Sequence, residues 1–386
     1  MYIITVLKSI IGRLTDLLPI KNVIIFESYP HYSDNTKSVF DELVRRGWNK
    51  KYKFVWVCET EADVQSMKKI SADFVNFKCV CMDSYIYKLY YKKVAKAFIV
   101  CNKMLHKNKP GKQYYCHLMH GATIKNTLGK YSLPQACRPA DIITLSEFIG
   151  KYDAHNLMCE ETRLISLGYA RNDDLFDKID IAKVFPDKSF GKIIYWLPTY
   201  RQHRYGNNTI HSNISMPIIH NVEAAAEINE CAKRNGVLII VKVHHAQDLS
   251  KITEYEFSNL IFIKNNFFED KSFTNYHLLG SSDALISDYS SVYYDYLLCD
   301  KPIALCWEDF AEYEKREGFT VNPYEMLAGG EKVYTVEDFC SFITAVANGE
   351  DKLCDIRREL CDKVHKYKDN KSTQRIVDYL ETRILK

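Results

Sequence analysis

The residue types best suited to binding phosphate lie in a short polar stretch behind an apolar run. Asp288, Ser290 and Ser291 follow the apolar residues 284–286, and a segment with helical apolar spacing comes next. Serine and aspartate are favoured at helix N-termini, where unpaired backbone N–H groups and the positive end of the helix dipole attract phosphate. The pattern predicts a phosphate-binding turn between a strand and a helix. An ordinary helix cap explains the same residues equally well.

Histidines at two other strand ends have the chemistry of proton transfer. His120 follows the apolar run 114–119, and His244 with His245 follows the run 237–243. The carboxyl ends of parallel strands form the edge at which α/β sheets bind ligands, and imidazole titrates near neutral pH. His120 is therefore a candidate general base, although a lone histidine more often has a structural role.

An alternation of strand and helix patterns must position these residues. Amphipathic segments separate a series of short apolar runs, and this alternation predicts an α/β fold with parallel sheets. The predicted strands are residues 23–26, 52–58, 75–80, 97–100, 114–119, 142–145, 164–167, 193–197, 237–243, 260–263, 284–286 and 302–306.

A polar segment with proline and glycine, residues 178–192, separates two such alternations. We therefore predict two domains, residues 1–185 and 186–386. Apolar residues near the end of the chain, Ile376 and Leu380 among them, have helical spacing. They predict a closing helix that can pack back on the first domain.

The composition excludes several classes of protein. The net charge is +3, and the thirteen cysteines include no CxxC pair, which favours reduced thiols over a disulfide framework or a zinc site. No secretory cleavage pattern follows the N-terminus, and no apolar run approaches the ~20 residues needed to cross a bilayer. These features predict a cytoplasmic protein.

One region has a strongly one-signed charge. Residues 84–140 contain ten lysines, one arginine and no acidic residue, and tyrosines are interleaved with the lysines between Tyr85 and Lys96. Such a field suits an anionic membrane surface or a phosphate-rich acceptor, while a solvated helix face is the ordinary explanation. The sequence contains no nucleic-acid-binding motif, so we expect no nucleic acid partner. Residues 1–20 have the spacing of an amphipathic helix that docks on the core or lies at a membrane interface.

Seven motifs in order resemble the CDP-glycerol glycerophosphotransferase family, whose members build the glycerol- or ribitol-phosphate units of teichoic acids and some capsules. The resemblance covers roughly residues 20–380, and its specificity lies in the order of the motifs rather than in any one of them. The motifs are Glu27-Ser28 with Ser33 and Asn35; His120-Gly121 with Lys125 and Gly129; Gly168-Tyr169 with Arg171-Asn172-Asp173; Pro198-Thr199-Tyr200-Arg201; Lys242 with His244; Asp288-Tyr289-Ser290-Ser291 with Asp295; and Lys301-Pro302.

This resemblance implies a GT-B-like fold, in which two Rossmann-like domains with parallel sheets face a central cleft. The first domain would face the acceptor and the membrane, and the second would bind the CDP-activated donor. The implied reaction transfers a polyol phosphate from CDP-glycerol or CDP-ribitol to a hydroxyl of a lipid-linked glycan or polyol-phosphate acceptor, with release of CMP. The implied location is the inner face of the cell membrane, to which the enzyme would bind peripherally.

The resemblance also assigns roles to residues. His120 would be the general base and His244 a second active-site histidine. Donor phosphate binding would fall to Thr199, Arg201, Lys242, Asp288, Ser290, Ser291 and Asp295. An acceptor or turn role would fall to Gly121, Lys125, Arg171 and Asn172. Because basic side chains can neutralise phosphate and no DxD motif is present, we expect no obligatory metal and no other cofactor.

Two departures from the family pattern leave questions open. The family usually has His-Gly-Thr-Pro where this chain has His120-Gly-Ala-Thr, and His-Pro where it has His244-His245. The second change leaves open which histidine faces the cleft. The motifs do not separate glycerol from ribitol donors or single addition from polymerisation, although the chain length favours single addition. Two rival functions are a sugar-nucleotide glycosyltransferase on the same fold and a non-catalytic CDP-polyol-binding protein of the cell envelope.

Overall fold

A computed structural model describes residues 12–72, 74–102, 109, 111–128, 140–159, 163–199, 216–243, 255–268 and 271–385 of the 386-residue chain. The chain divides into two compact units. The first unit is made from Met1–Ala122, Thr127–Asp173 and His365–Lys386. The second unit is made from Thr123–Asn126 and Asp174–Val364.

The strands are short and the helices amphipathic, as in other α/β proteins. The strands are β1 (Val23–Glu27), β2 (Lys53–Cys58), β3 (Phe77–Cys81), β4 (Ala97–Val100), β5 (Tyr114–His117), β6 (Asp141–Thr144), β7 (Leu164–Ser166), β8 (Lys192–Trp196), β9 (Val237–Lys242), β10 (Leu260–Ile263), β11 (Ala284–Ser287), β12 (Ile303–Cys306) and β13 (Glu331–Val333). The α-helices are α1 (Asp34–Arg45), α2 (Glu61–Ile70), α3 (Lys92–Val94), α4 (Glu147–Leu157), α5 (Ile181–Val184), α6 (Val222–Arg234), α7 (Asn275–Ser281), α8 (Val292–Tyr296), α9 (Phe310–Arg316), α10 (Pro323–Met326), α11 (Val336–Asn348), α12 (Cys354–Val364) and α13 (Ser372–Ile384).

The first unit contains a seven-stranded parallel sheet in the order β3-β2-β1-β4-β5-β6-β7. Every side chain of β1 is buried, because a central parallel strand is covered by helices on both faces and needs apolar residues on both. Strand β1 pairs in parallel with β2 on one side and β4 on the other. The strand order therefore reverses between β1 and β4, which is the position where open α/β sheets bind ligands.

Helix α13 completes the core of the first unit. Its apolar side chains Ile376 and Leu380 are fully buried in one cluster with Phe40 of α1 and Trp56 of β2. Gly168, with φ +84°, lets the start of the helix approach: a Cβ at this position would lie 2.5 Å from Ser372 Oγ. The closing helix expected from the apolar stripe is thus a structural part of the first unit.

The second unit contains a six-stranded parallel sheet in the order β10-β9-β8-β11-β12-β13. Its core lies between the sheet and the helices α6 and α11, and Trp196 of β8 packs against Phe339 of α11 with ring centroids 4.8 Å apart. The strand order reverses between β8 and β11, so the loops after these two strands lie at the second ligand-binding position.

The prediction of an α/β fold with two Rossmann-like parallel sheets is confirmed. That the two domains face a central cleft stays a prediction. The cysteines of the described chain are all free thiols, in keeping with the predicted reduced state. Among the described residues, no helix is both long enough and apolar enough to cross a membrane.

In the described part of the lysine-rich stretch, two lysines have acidic partners. Lys93 is buried, and its ammonium group donates to the backbone carbonyl of Gly12 at 2.9 Å and pairs with Asp16. Lys88 pairs with Asp83 at 2.7 Å, although both side chains are exposed. Lys93 therefore anchors the helical residues 12–16 and belongs to the interior rather than to a membrane-facing field.

Candidate active site

His120 lies in a sharp turn that follows β5. Met119 has φ +58° and Gly121 has φ +153°, and the second of these angles suits glycine better than any other residue. The side-chain amide of Asn35 donates to the carbonyls of Leu118 and Met119 at 3.2 and 2.7 Å. The start of α1 therefore fixes the backbone that carries His120.

The carboxylate of Asp34 holds the ring of His120. Asp34 Oδ2 contacts His120 Nδ1, and the exposed fraction of the side chain is 61% for His120 but only 6% for Asp34. An ionised carboxylate can only accept, so Nδ1 carries the proton and Nε2 of the neutral ring is left as the proton acceptor. This is the protonation pattern that a general base requires.

Arg171 fixes Asp34 from the other side. Its Nη1 donates to Asp34 Oδ1 at 2.9 Å and to the backbone carbonyl of His120 at 2.7 Å. Its own backbone N–H donates to the side chain of Asn35 at 3.0 Å. One buried guanidinium thus joins the carboxylate, the His120 turn and the start of α1.

The charges in this arrangement keep Asp34 anionic. Burial alone would raise the pKa of Asp34, but the positive charge of Arg171 and the contact with His120 outweigh it and hold the pKa well below its usual range. Asp34 is therefore ionised at any pH near neutrality. It can orient His120 and stabilise the charged ring that forms when His120 takes a proton.

A second histidine, His117, supports the turn from the interior. Burial, together with the charge of the nearby His120, lowers the pKa of His117 to about 4. Its Nδ1 accepts a hydrogen bond from the backbone N–H of Met119 at 3.2 Å. His117 is therefore a neutral structural residue, and His120 carries the reactive ring.

The side chains of Asp34, Cys101 and His120 place possible metal-ligand atoms within 4.8 Å of one another. A resident cation does not fit these residues well, because Arg171 and His120 already contact the Asp34 carboxylate. Burial also raises the pKa of the Cys101 thiol well above its ordinary value, and Cys101 Sγ donates to the carbonyl of Met119 at 3.1 Å. The absence of an obligatory metal stays a prediction.

In the second unit, Asp288 ties together the loops that follow β8 and β11. Its carboxylate accepts from the backbone N–H of Thr199 at 2.7 Å and from the Thr199 hydroxyl. The Ser287 hydroxyl donates to the carbonyl of Leu197 at 2.9 Å. Asp288 is fully buried, so its evident task is to fix Thr199 beside the Ser290 turn.

The serines predicted to bind phosphate, Ser290 and Ser291, closely follow Asp288 in the chain. Helix α8 begins at Val292, and its N-cap residue Ser291 makes no side-chain capping bond. The Ser290 hydroxyl accepts from the backbone N–H of Val292 at 3.5 Å, the limit of a hydrogen bond. Both serines are half-buried, and neither hydroxyl is strongly committed to the helix by these bonds.

Two further predicted donor-binding residues have structural contacts. Asp295 is buried and accepts from the hydroxyl of Tyr276 at 2.6 Å. Lys242 ends β9, and burial lowers its pKa to about 8. Their assignment to donor binding stays a prediction.

The structure brings together some of the predicted site residues and separates others. His120, Gly121, Arg171 and the buried Asn172 belong to the first unit, whereas Lys125 belongs to the second. There Lys125 forms an antiparallel bridge with Phe319, and its ammonium group lies 5.6 Å from the centre of the Tyr313 ring. Arg201, His244, His245, Tyr200 and Gly129 lie outside the described residues.

Asp34 is the functional residue that sequence reasoning missed. It lies between Ser33 and Asn35, both of which belong to the first recognised motif. Its conformation, with φ +60°, is one that aspartate tolerates better than most residues. The position of Asp34 inside this motif, in the segment that follows β1, was the sequence signal that could have identified it.

Three comparisons place the chain among known proteins. The sequence model of the family described as CDP-Glycerol:Poly(glycerophosphate) glycerophosphotransferase matches residues 13–382. The teichoic acid poly(ribitol-phosphate) polymerase of Bacillus spizizenii is 24% identical over 337 residues, which are 81% of this chain and 49% of that protein. The chain thus spans about half the length of that relative.

Other relatives match along most of their length. The teichoic acid glycerol-phosphate primase of Bacillus subtilis is 22% identical over 373 residues, covering 92% of this chain and 90% of that protein. The solved structure of the wall teichoic acid polymerase TagF superposes with a TM-score of 0.71 at 21% identity, covering 99% of this chain and 95% of that one. The structural likeness confirms the GT-B-like fold class.

The match to the family model extends over nearly the whole chain, and it includes His120, Arg171, Thr199 and the Ser290 turn. The resemblance found in the sequence motifs is thereby confirmed. The chain belongs to the CDP-glycerol:poly(glycerophosphate) glycerophosphotransferase family.

Proposed function

We propose that this protein transfers glycerol phosphate, or a related polyol phosphate, from a CDP-activated polyol to a hydroxyl of a membrane-linked cell-wall glycan or of a teichoic or capsular acceptor, and releases CMP. The observation that carries this proposal is the pairing of His120 with the buried Asp34–Arg171 ion pair at the end of a parallel strand. Family membership supports the donor class.

In the proposed reaction, the oxygen of an acceptor hydroxyl attacks the phosphorus that bears the polyol. A new P–O bond forms, the P–O bond to CMP breaks, and CMP leaves with that electron pair. His120 Nε2 takes the hydroxyl proton, and Asp34 stabilises the resulting imidazolium. Such a reaction depends on positioning and on charge neutralisation at the phosphoryl oxygens, so a metal is not required by the chemistry itself.

The second unit would bind the donor. Ser290 and Ser291 offer hydroxyls at the carboxyl edge of its sheet, and Asp288 fixes the adjoining loop by its bonds to Thr199. Arg201 and His244 would supply positive charge to the diphosphate, a role implied by the family resemblance. Lys242, with its pKa lowered to about 8 by burial, would add a cation that can lose its proton near neutral pH.

The acceptor side would lie on a membrane surface at the inner face of the cell membrane. Leu14 and Leu17 are 61% and 81% exposed, and Tyr85 is 64% exposed. Lys21 donates to the hydroxyl of Tyr90 at 3.1 Å, so cationic and aromatic groups accompany the apolar side chains. Exposed leucine and tyrosine beside lysine suit the headgroup region of an anionic bilayer.

The function is tested by product analysis. Purified protein is offered CDP-glycerol or CDP-ribitol with a lipid-linked disaccharide, and released nucleotide and product mass are measured. We expect free CMP and an acceptor heavier by one polyol phosphate. Transfer from a UDP-sugar with release of UDP would contradict the proposal in favour of a glycosyltransferase, and donor binding without turnover would favour a binding protein.

Membrane association is tested separately with vesicles of phosphatidylglycerol. Leu14→Ser with Leu17→Ser should weaken co-sedimentation, because the double variant removes two exposed apolar anchors. Val75→Ser is the matched control, since Val75 is 66% exposed but belongs to the loop before β3 rather than to residues 14–21 or 85–90. Equal loss of binding in the control, or none in the double variant, would contradict this surface.

A further inference from the structure

The first turn of α13 is bonded to the chain segment that follows β7. This segment, residues 167–173, includes the third of the sequence motifs and carries Arg171. The proposed reaction uses Arg171 through its bond to Asp34, but it does not use the neighbouring Asp173. The contacts of Asp173 lead to α13.

Asp173 caps α13 from a distant part of the chain. Lys371, the N-cap residue of the helix, makes no side-chain capping bond, because an ammonium group has no acceptor. The Asp173 carboxylate instead accepts from the backbone N–H groups of Ser372 and Thr373 at 2.9 and 2.8 Å, across 199 and 200 positions of sequence. An anion at a helix N-terminus is also stabilised by the positive end of the helix dipole. Asp173 therefore joins α13 to the segment by two charged hydrogen bonds.

Two further bonds from the same turn hold the rest of the segment. The Thr373 hydroxyl donates to the carbonyl of Ala170 at 3.1 Å, and Arg375 Nε donates to the carbonyl of Leu167 at 3.2 Å. Together with the bonds of Asp173, these contacts hold the segment at its start, its middle and its end. The first turn of α13 therefore fixes the backbone of this segment.

Arg171 lies between the residues that α13 holds. Ala170 directly precedes it, Asp173 follows two positions later, and only 8% of the Arg171 side chain is exposed. Its guanidinium bonds both the Asp34 carboxylate and the backbone carbonyl of His120. A guanidinium has a rigid, planar set of donors, so a shift of its backbone moves these partners or breaks the bonds to them. The first turn of α13 is thus joined to His120 through Arg171.

We propose that Asp173 is a positioning residue for the proposed general base, an inference that rests on the proposed transferase function. Its carboxylate bonds α13, and its effect reaches His120 through Arg171 and Asp34. An ordinary helix cap would contribute to stability alone. A positioning residue also contributes to kcat, since a reacting group displaced by about 1 Å can lose about 10²-fold in rate.

The test measures kcat and the KM for CDP-glycerol with a lipid-linked disaccharide as acceptor, well below the melting temperature of each variant. Asp173→Ala, which removes both acceptor oxygens, should lower kcat about 10²-fold. Asp173→Asn keeps one acceptor oxygen and should lower kcat only about tenfold. The KM for CDP-glycerol should stay within about twofold in both variants, because the second unit is proposed to bind the donor.

Thr373→Val is a milder variant that keeps the proposal testable if Asp173→Ala does not fold. It removes only the bond to the Ala170 carbonyl, and kcat should fall about threefold at an unchanged KM for CDP-glycerol. Native kcat in both Asp173→Ala and Thr373→Val would overturn the proposal.

Tyr379→Phe is the matched control. Tyr379 also belongs to α13, and its hydroxyl donates to Asp141 at 2.9 Å, at the amino end of β6. The variant removes a polar contact of the same helix without touching the Arg171 segment, so its kcat should equal that of the native protein. An equal loss of kcat in Tyr379→Phe and Thr373→Val would mean that α13 acts through stability alone, and the proposal would be wrong.

A double-mutant cycle tests whether Asp173 acts through Arg171. Arg171→Lys keeps the positive charge but loses the planar donors that bond Asp34 and the His120 carbonyl. Adding Asp173→Asn to this variant should lower kcat by less than about twofold, because the connection through Arg171 is already broken. Losses of kcat that multiply would contradict the proposed connection.

A measurement without turnover separates this inference from the transferase function. Protein that contains nitrogen-15 histidine shows by NMR which ring nitrogen of His120 carries the proton, and the His120 signals are those absent from His120→Ala. The native ring should carry its proton on Nδ1, next to Asp34, whereas Asp173→Ala and Thr373→Val should show a mixture of both tautomers.

The two failures then give different results. The native tautomer in both variants would overturn the positioning role, whatever the activity of the protein. A native protein that releases no CMP from CDP-glycerol or CDP-ribitol would contradict the transferase function, and the NMR measurement would still decide whether Asp173 positions His120.

Discussion

The two units each present a turn at the carboxyl edge of a parallel sheet, yet the turns are built differently. In the first unit, the turn at His120 is crossed by a buried ion pair between Asp34 and Arg171. In the second unit, the turn at Ser290 is fixed by one carboxylate, Asp288, that bonds a neighbouring loop. The turn at His120 is thus stabilised by an ion pair, whereas the turn at Ser290 is stabilised by hydrogen bonds to a backbone N–H and a hydroxyl.

This difference has a chemical meaning. A proton acceptor needs a fixed tautomer and a counter-charge, and a buried carboxylate with its own cation supplies both. A phosphate-binding turn needs hydrogen-bond donors, and the Asp288 carboxylate beside it is occupied by the bonds that it accepts from Thr199. The difference supports the proposal that the first unit carries out proton transfer and the second binds the donor.

The largest effect is expected from His120→Ala. Loss of a general base should lower kcat about 10²–10⁴-fold, while the melting temperature should change little because most of the ring is exposed. Steady-state CMP release measures kcat, and thermal unfolding measures the melting temperature. His155→Ala, which removes an exposed histidine of α4 in the same unit, should behave like the native protein. Near-normal turnover in His120→Ala would show that the turn at His120 does not supply the general base, and the proposed difference between the two turns would be wrong.

Asp34→Asn should lower kcat about 10²-fold or more, since His120 loses its orientation and its fixed tautomer. It should also lower the free energy of unfolding at pH 7 by about 3 kcal/mol, because Arg171 is left buried without its counter-charge.

The stability loss in Asp34→Asn should depend on pH in one direction. The pKa of Asp34 is lower in the folded than in the unfolded state, so its stabilisation is complete above the unfolded pKa of about 3.9 and is lost as the pH falls through the folded pKa. Urea unfolding should therefore show the same gap between the native and variant proteins at pH 7 and 5, a gap that begins to narrow near pH 3 and closes only at still lower pH. A constant gap would mean that Asp34 is not held as an anion.

Ser290→Ala with Ser291→Ala should raise the donor KM about 10- to 100-fold with a smaller change in kcat, because hydrogen bonds to a charged phosphate are lost. Titration with CDP-glycerol measures the effect. The control is Ser341→Ala, an exposed serine on α11. If donor affinity is unchanged, the turn at Ser290 is an ordinary helix start and does not bind the donor phosphate.

Asp288→Asn distinguishes two roles of Asp288, which are holding the Thr199 loop in place and contacting the donor directly. We expect a loss of about 1–3 kcal/mol in the free energy of unfolding, because an amide cannot accept both bonds from Thr199. The donor KM should rise only a few-fold as the loop loosens. A large rise in KM at native stability would instead place Asp288 against the donor.

The smallest effect is expected from metal removal. Treatment with EDTA followed by dialysis should leave CMP release within about twofold of its starting rate, because arginine, histidine and serine can neutralise the phosphoryl oxygens. Loss of activity that Mg²⁺ or Mn²⁺ restores would contradict this expectation and would direct attention to Asp34, Cys101 and His120.

Local features of the fold were accessible from the sequence. The apolar run at 23–26 predicted β1, and the alternation of strands and helices predicted both parallel sheets. The strand-end positions of His120 and Ser290 followed from the same patterns, because each depends only on residues within about ten positions.

Long-range pairings were not accessible in the same way. Asp34 contacts His120 and Arg171 across 86 and 137 positions of sequence, and no periodicity encodes such a contact. The burial of Lys93 against Asp16, 77 positions away, was missed for the same reason. Counting charge along the chain placed Lys93 on a basic surface, whereas the fold made it an interior anchor.

The position of α13 bears on how the protein is synthesised. The core of the first unit needs Ile376, Leu380 and Ile384, so a nascent chain cannot complete that unit until these residues have left the ribosome. Nearly all of the second unit comes from Asp174–Val364, which emerge earlier. During translation the first unit should therefore complete its core only after most of the second unit has emerged.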